Sequence, residues 1–349
     1  MCVAFPLLRL PSVAFREVVR LLDLNTLIKL GLCSERSKRL VKHNHINHHS
    51  KKPILTMILN PLSSYITIQY FDEYGSKNLN FMLSDLSLLP RDDIQYWNFK
   101  GFCFPVHVAS EHLYQTYWVN WITGAKILVP YMTDLLNIRI HELYIKLSYE
   151  FSYSMNAVDW AMSCQDSVHS LQVEGRCSDE RELNYAMDKC KVTDFLYLNV
   201  PTSVSFQRDM NFQLNKIHLV NTPWLTIDNL LQLDCCEIII ERKRFTSKVM
   251  NRYLKSWING GHPKLRKLSV GIEPIRLNVL TEGLDGALVR RQERRQYVVN
   301  EKETVWIGDS WDIRGDQVAS ILGYETEFSP SKTFSMVVWP DFEGNMYDL

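Results

Sequence analysis

The chain lacks most of the signatures that assign chemistry to a sequence at sight. It has no charge surplus: 39 Lys+Arg offset 39 Asp+Glu over 349 residues, so nothing global draws it to nucleic acid or to an anionic membrane. Its eight cysteines, at 2, 33, 103, 164, 177, 190, 235 and 236, form no CxxC pair and follow no regular spacing, which argues against a disulfide framework in a chain of this size. No Asn-x-Ser/Thr sequon occurs. No stretch reaches the ~18 consecutive apolar residues of a membrane span. Arg9 interrupts the early apolar run and no basic segment precedes it, which speaks against a signal peptide. These absences lead us to expect an intracellular protein with reduced thiols, cytoplasmic or nuclear. Phosphate-cradling and nucleophile motifs (GxGxxG, GxxxxGK[ST], GxSxG) and the zinc motif HExxH are also missing, so no catalytic centre, cofactor or metal site is expected.

What the chain does have is apolar bulk. Hydrophobic residues make up 46%, with 16 Tyr, 15 Phe and 9 Trp, enough for a real core and for about two domains. The opening segment "FPLLRLPSVAFREVVRLLDLNTLIKLGLCSERSKRLVK" carries three short helical patterns. Phe15, Val18, Val19 and Leu22 form an i, i+3, i+4, i+7 stripe behind Ser12 as N-cap. Asn25 is placed to cap a second helix bearing Leu27 and Leu30. Ser34 is placed to cap a third, with Leu40 and Val41 inside and its Lys/Arg outside. Leu7, Leu8, Leu10, Leu21, Leu24 and Leu32 are apolar as well, more than so small a unit hides by itself. Their cover is either the rest of this chain or another protein.

The order "FPLLRLP", an amphipathic helix, the "LD" turn, a Leu-rich second helix and "CSERSKRL" resembles an F-box. The resemblance implies docking on the Skp adaptor, and through it on a cullin, in Skp–cullin–F-box ubiquitin ligases. Carried over by position, the contact residues are Leu8, Leu10, Pro11, Val18, Leu22, Leu27, Leu30 and Leu32. The chain departs from the family at Val13-Ala14, where an acidic residue is frequent.

Residues 43–53 follow as a linker. Seven Lys/Arg and one acidic residue lie between Lys29 and Lys52, and His43, His45, His48 and His49 read as solvated rather than metal-bound, since no cysteine accompanies them. From Ile54 to about Pro90 β-branched and aromatic runs separated by turns predict strands. Trp97, Trp118 and Trp121 read as core.

In the second half, apolar-x-apolar triplets recur at Leu143-Tyr144-Ile145, Leu171-Gln172-Val173, Leu196-Tyr197-Leu198, Ile217-His218-Leu219, Ile238-Ile239-Ile240 and Leu268-Ser269-Val270. The steps are 28, 25, 21, 21 and 30 residues, close to the ~20–29 of leucine-rich repeats. Helical stripes lie between triplets, the clearest at Val249/Met250, Tyr253/Leu254 and Trp257/Ile258 behind Thr246, while 198–217 shows none. The pattern predicts strands with buried outer residues and an open face formed by Tyr144, Gln172, Tyr197, His218, Ile239 and Ser269, chemistry suited to a protein target. An ordinary α/β arrangement without a true repeat remains the alternative.

The segment from "TDFLYLNV" to "SWINGGHPKLRKLSV", with its distinctive "WINGGHPKLRKLSV", resembles the type 2 F-box-associated domain of nematode-expanded F-box proteins. That domain follows the F-box and is taken to recruit the substrate. Residues 271–304, including "RRQERR", read as a solvated loop, and "TVWIGDSWDIRG" and "KTFSMVVWP" as strands closing one end of the sheet. The expected fold is therefore α/β: a three-helix F-box at 1–42, the linker, and an irregular leucine-rich-repeat-like recruiting domain at 54–349 with C-terminal β capping strands. The expected function is a non-enzymatic ligase adaptor joining the Skp adaptor to an unknown protein target, without nucleic acid, membrane or cofactor. A repeat-type interaction scaffold whose first helices merely cap it is the alternative.

Overall fold

The three opening stripes become helices α1 (Ser12–Leu21), α2 (Leu24–Leu32) and α3 (Glu35–His45) in a computed structural model of the chain. The structure describes residues 7–45, 52–60, 63–72, 75–99, 101–147, 151–176, 180–284, 288–324 and 333–345. Two of the three expected caps are corrected. Ser12 is the first helical residue rather than the cap, and no side chain caps α1. Asp23, not Asn25, caps α2 by accepting from Thr26 N at 2.8 Å. Ser34 Oγ does accept from Ser37 N, at 3.0 Å. Helix α3 continues past Lys42 into the segment read as linker, with His43 exposed; residues 46–51, including His48 and His49, lie outside the described residues.

The chain forms two compact units, Met1–Leu171 with Ala186–Lys191 and Gln172–Tyr185 with Val192–Leu349. The opening helices share the first of these units with the strands that follow. In this first unit the strands are β1 (Ile54–Leu59), β2 (Ser64–Asp72), β3 (Gly75–Asp85), β4 (Ile94–Phe99), β5 (Phe102–Ser110), β6 (Leu113–Trp118) and β7 (Ile140–Leu147). Their order across the sheet is β7-β1-β2-β3-β6-β5-β4, with β1–β7 and β3–β6 parallel and the other neighbours antiparallel.

Period-two alternation puts Leu55, Met57, Leu59, Ile66, Ile68, Leu79, Phe81 and Leu83 on one buried face. Helix α4 (Trp121–Leu136) packs against β2, β3 and β6 through Ala125, Leu128, Val129, Met132 and Leu135. Each such side chain contributes about 1.5–3 kcal/mol on leaving water. Gly124 is required there, because a Cβ would stand 2.5 Å from Trp118 Nε1. Helix α5 (Phe151–Cys164) follows β7.

Helices α2 and α3 also rest on α4. Tyr131 of α4 donates its hydroxyl to Ile28 O at 3.1 Å, and the edge of its ring meets Phe99 at 4.5 Å. Gly31 gives this hydroxyl its room: a Cβ on it would lie 2.5 Å from Tyr131 Oη. Asn25 is buried between sheet and helix, donating to Glu111 O at 3.0 Å and accepting from Tyr114 Oη at 2.5 Å.

Strand β8 (Val168–Gly175) and helix α6 (Glu180–Lys189) are each divided between the units. The second unit continues with β9 (Val192–Asn199), β10 (Lys216–Val220), α7 (Ile227–Gln232), β11 (Glu237–Phe245), α8 (Ser247–Ile258), β12 (Lys267–Ile272) and α9 (Leu277–Leu280). It ends with β13 (Leu288–Arg291), β14 (Arg295–Asn300), β15 (Glu303–Ile307), β16 (Ser310–Arg314), β17 (Val318–Tyr324) and β18 (Thr333–Trp339).

Strands β9, β10, β11 and β12 are parallel neighbours; β18 then joins β12 antiparallel and leads on to β17, β16 and β13. Strands β14 and β15 make a separate hairpin. The architecture is mixed α/β, and the repeat-like stretch is β9–β12. The tail is not the solvated loop expected of it. Arg295 is drawn inward by Asp312, whose Oδ1 lies 2.8 Å from Nη2, with Ser310 and Ser320 completing the set. Charged residues read as surface therefore sit inside strands.

The Gly31–Tyr131 fit gives a test. Gly31→Ala is expected to lower stability by about 1–3 kcal/mol in urea unfolding, outweighing the ~1 kcal/mol helix-propensity gain of alanine. In a Tyr131→Phe background the same change is expected to cost far less, because the obstructing oxygen is gone.

Candidate functional site

The first candidate surface is built by α1 and the turn before it. Phe15 and Val19 face inward at 2% exposure each, which leaves the opposite flank of α1 without cover. There Val13 is 61% and Leu21 87% exposed, while Leu8, Leu10, Val18 and Leu22 are half-buried and Pro11 is exposed. Leu30 and Leu32 on α2 are half-buried as well. Leu27 is different: at 2% exposure it belongs to the core and presents nothing to a partner. The resemblance placed it among the contact residues by position alone.

The second candidate surface is the open face of β9–β12. In all six triplets the outer residues are at most 1% exposed and the middle residue is half-buried. Tyr197, His218, Ile239 and Ser269 stand directly opposite one another in register on β9, β10, β11 and β12. Tyr197 and His218 meet edge to face at 5.1 Å, and His218 Nε2 lies 3.0 Å from Glu241 Oε1. One pair earlier, Lys216 bridges Glu237 at 2.9 Å, and Lys267 bridges Glu303 at 2.5 Å. Gln172 occupies the same mid-triplet position on β8. Tyr144 belongs to the first unit, opposite Ile58. The structure therefore brings four of the six residues into one row.

Hydrogen bonds between successive turns of the chain hold this face. Asn221 donates to Asn199 at 2.7 Å, Arg242 to Asn221 at 3.1 Å, and Asn229 to Arg208 O at 3.0 Å. The spacings of 22, 21 and 21 residues match the triplet steps, a polar signal that an apolar pattern search passes over. Cys235 is buried behind the face, its thiol pushed up to about 11 by that burial, as suits a small apolar side chain.

Residues 7–49 match the F-box domain family, and residues 205–270 match the family described as F-box associated. The chain thus carries one segment that matches the F-box family and a later one that matches the F-box-associated family. Over 97% of its length it is 21% identical to the uncharacterized protein F59B2.8 of Caenorhabditis elegans, of which it covers 75%. No solved structure matches the chain. The F-box-associated match takes in His218, Ile239 and Ser269 and begins after Tyr197.

Within the segment that matches the F-box family, Lys38 overturns the expectation that the cations of α3 face solvent. Its side chain is 7% exposed, its ammonium 2.5 Å from Asp134 Oδ2 and 5.3 and 5.8 Å from the ring centres of Tyr131 and Phe99. Lys42 adds a second bridge to Asp134 at 2.5 Å. Hydrogen bonds from Lys38 and then Lys42 hold the Asp134 carboxyl below its ordinary value of 3.8, against the burial that opposes them. A buried lysine is a helix-docking device here, and only the partner sequence far along the chain reveals it.

A depressed carboxylate contributes stability that is complete above its unfolded pKa and lost as pH falls through its folded one. Asp134→Asn is expected to destabilise the protein by about 1–2 kcal/mol at neutral pH, since Lys38 stays buried without its counter-charge. In thermal melts across acid pH the gap between wild type and variant is expected to close below the ordinary carboxylate value of 3.8.

Proposed function

We propose that this F-box protein is the substrate-recognition adaptor of a Skp–cullin–F-box ubiquitin ligase. The observation that carries the reading is the uncovered apolar flank of α1, with Leu21 at 87% exposure, inside a segment that matches the F-box. An isolated apolar side chain is ordinary on a surface, but a group rimmed by Arg9, Arg16, Glu17 and Arg20 marks a contact site. The Skp adaptor occupies Leu8, Leu10, Pro11, Val18, Leu22, Leu30 and Leu32, with Val13 and Leu21 added. Leu27 supports the fold instead. The cullin is reached through that adaptor.

The row Tyr197, His218, Ile239 and Ser269, with Gln172 beside it in sequence order, is the surface for the target protein. Tyr144 is left as a residue of the same type in the first unit. Function then rests on proximity: tethering raises the effective concentration of target lysines at a catalytic centre supplied by other subunits. The chain itself breaks and forms no bond, and it works inside the cell. A protein partner fits the C-terminal charges better than nucleic acid does. Arg290 bridges Asp309, Arg291 and Arg295 bridge Asp312, and Arg294 stacks over Trp306 at 4.5 Å, so "RRQERR" is largely neutralised from within. Among the described residues no helix is long and apolar enough to cross a membrane.

The packing of α2 and α3 on α4 favours one other reading, a leucine-rich-repeat-like scaffold in which the helices only cap their unit. Co-purification with the Skp adaptor separates the two. Leu21→Asp and Leu10→Asp are expected to reduce recovery more than about tenfold, as loss of an interface anchor does, with the melting temperature of the exposed-site variant unchanged. Equal recovery of wild type and variants leaves the scaffold. Tyr197→Ala combined with Ile239→Asp is expected to remove the captured target while adaptor recovery stays at the wild-type level, as read by quantitative affinity mass spectrometry.

A further inference from the structure

The segment "GGHPKLR" between α8 and β12 serves neither surface above, yet it is built with unusual firmness. Gly261 N donates to Ser256 O at 2.9 Å, and a Cβ on Gly261 would stand 2.8 Å from that oxygen, so only glycine fits. His262 turns the chain with φ of 58°, donates through Nδ1 to Leu233 O at 2.9 Å and stacks on Tyr253 at 4.7 Å. Leu265 N closes the turn on His262 O at 3.0 Å. Arg266 N and Lys267 N both donate to Cys236 O, at 2.8 and 3.0 Å. Arg266 O in turn accepts from Val338 N at 2.9 Å and lies 3.1 Å from Tyr297 Oη. The backbone that presents the side chains of Lys264 and Arg266 is therefore fixed from several sides.

Those side chains stand at a cavity of about 270 Å³, entirely within the second unit. Buried Leu265, Val338 and Trp339 form its floor, and Lys264, Arg266, Cys236 and Gln317 are among its rim. Lys264 Nζ is 3.4 Å from Asp234 Oδ2 and is partly neutralised. Arg266 has no carboxylate at ion-pair distance among the described residues; its nearest polar contact is the backbone oxygen of Asp341, 3.5 Å from Nη1. The Asp341 carboxylate is engaged elsewhere, accepting from Val298 N, Glu343 N, Asn345 N and Asn345 Nδ2. The rim is left with one positive charge over, on a planar guanidinium suited to bidentate hydrogen bonding.

We propose that this cavity binds a carboxylate of a partner polypeptide, gripped by Arg266 with Lys264 beside it, with a neighbouring apolar side chain seated on Leu265, Val338 and Trp339. A singly charged carboxylate matches the single surplus charge, whereas a doubly charged phosphate would exceed it. The site does not depend on the adaptor reading, because the same capture serves a scaffold.

Fluorescence anisotropy with the full chain tests it. The probes are labelled short peptide pools of Asp/Glu mixed with Leu/Phe, and the same pools with Asn/Gln in place of the acids. The acidic pool is expected to bind about tenfold tighter, and less so as salt rises. Arg266→Gln is expected to abolish the preference and Arg266→Lys to retain part of it. Lys264→Gln, at a half-exposed side chain, provides a second variant if Arg266→Gln lowers the melting temperature. Amidating the C-terminus of the acidic pool separates a chain-end carboxylate from a side-chain one, and either supports the site. Equal binding of the two pools, an unchanged preference in Arg266→Gln, or tighter binding of a phosphoserine pool overturns it. Skp-adaptor recovery is expected to be unaffected by these variants, so failure here is distinguishable from failure of the ligase reading.

Discussion

One phenol holds the N-terminal helices to the rest of their unit. Tyr131 projects from α4 against α2, gives its proton to Ile28 O and lies under the Lys38 ammonium. Its burial pushes its own ionisation far above the usual tyrosine range, so at any physiological pH it remains a neutral donor. Gly31 makes the approach possible and Asp134 neutralises the lysine. Because α2 and α3 are used up in this contact, the apolar residues that remain outside belong chiefly to α1 and the turn before it. The uncovered flank is thus defined by subtraction: it is what the inward packing of α2 and α3 does not consume.

The second unit solves a similar problem in another way. Its parallel strands bury both outer residues of each triplet and leave the middle one half-open, so a half-exposed row arises from strand alternation alone. Salt bridges along neighbouring pairs keep charged groups on this face without leaving a surplus of one sign. The cavity beside β12 is different, since its loop is tied down by hydrogen bonds and its arginine has no carboxylate partner among the described residues. A flat row favours broad contact, and a single uncompensated cation favours one defined group.

Much of this was legible in the sequence, for identifiable reasons. The three N-terminal helices, the six triplets with their alternating burial, the helix behind Thr246 and the helix-free stretch before β10 all follow from local periodicity. What escaped were properties set by distant partners. Lys38 was misplaced because what covers it, α4 with Tyr131 and Asp134, lies about a hundred residues away in the chain. Asn25 was read as a cap because its partners, Glu111 O and Tyr114, are equally remote. The tail was read as loop because strongly charged sequence mimics solvent exposure; Asp312 and two serines reverse that for Arg295. Pattern reveals which residues want cover, and only the fold reveals which of them have found it.

The uncovered flank of α1 has a consequence for the life of the molecule. Among the described residues nothing hides its outward leucine. A copy that nothing covers there keeps an adhesive apolar spot, open to self-association.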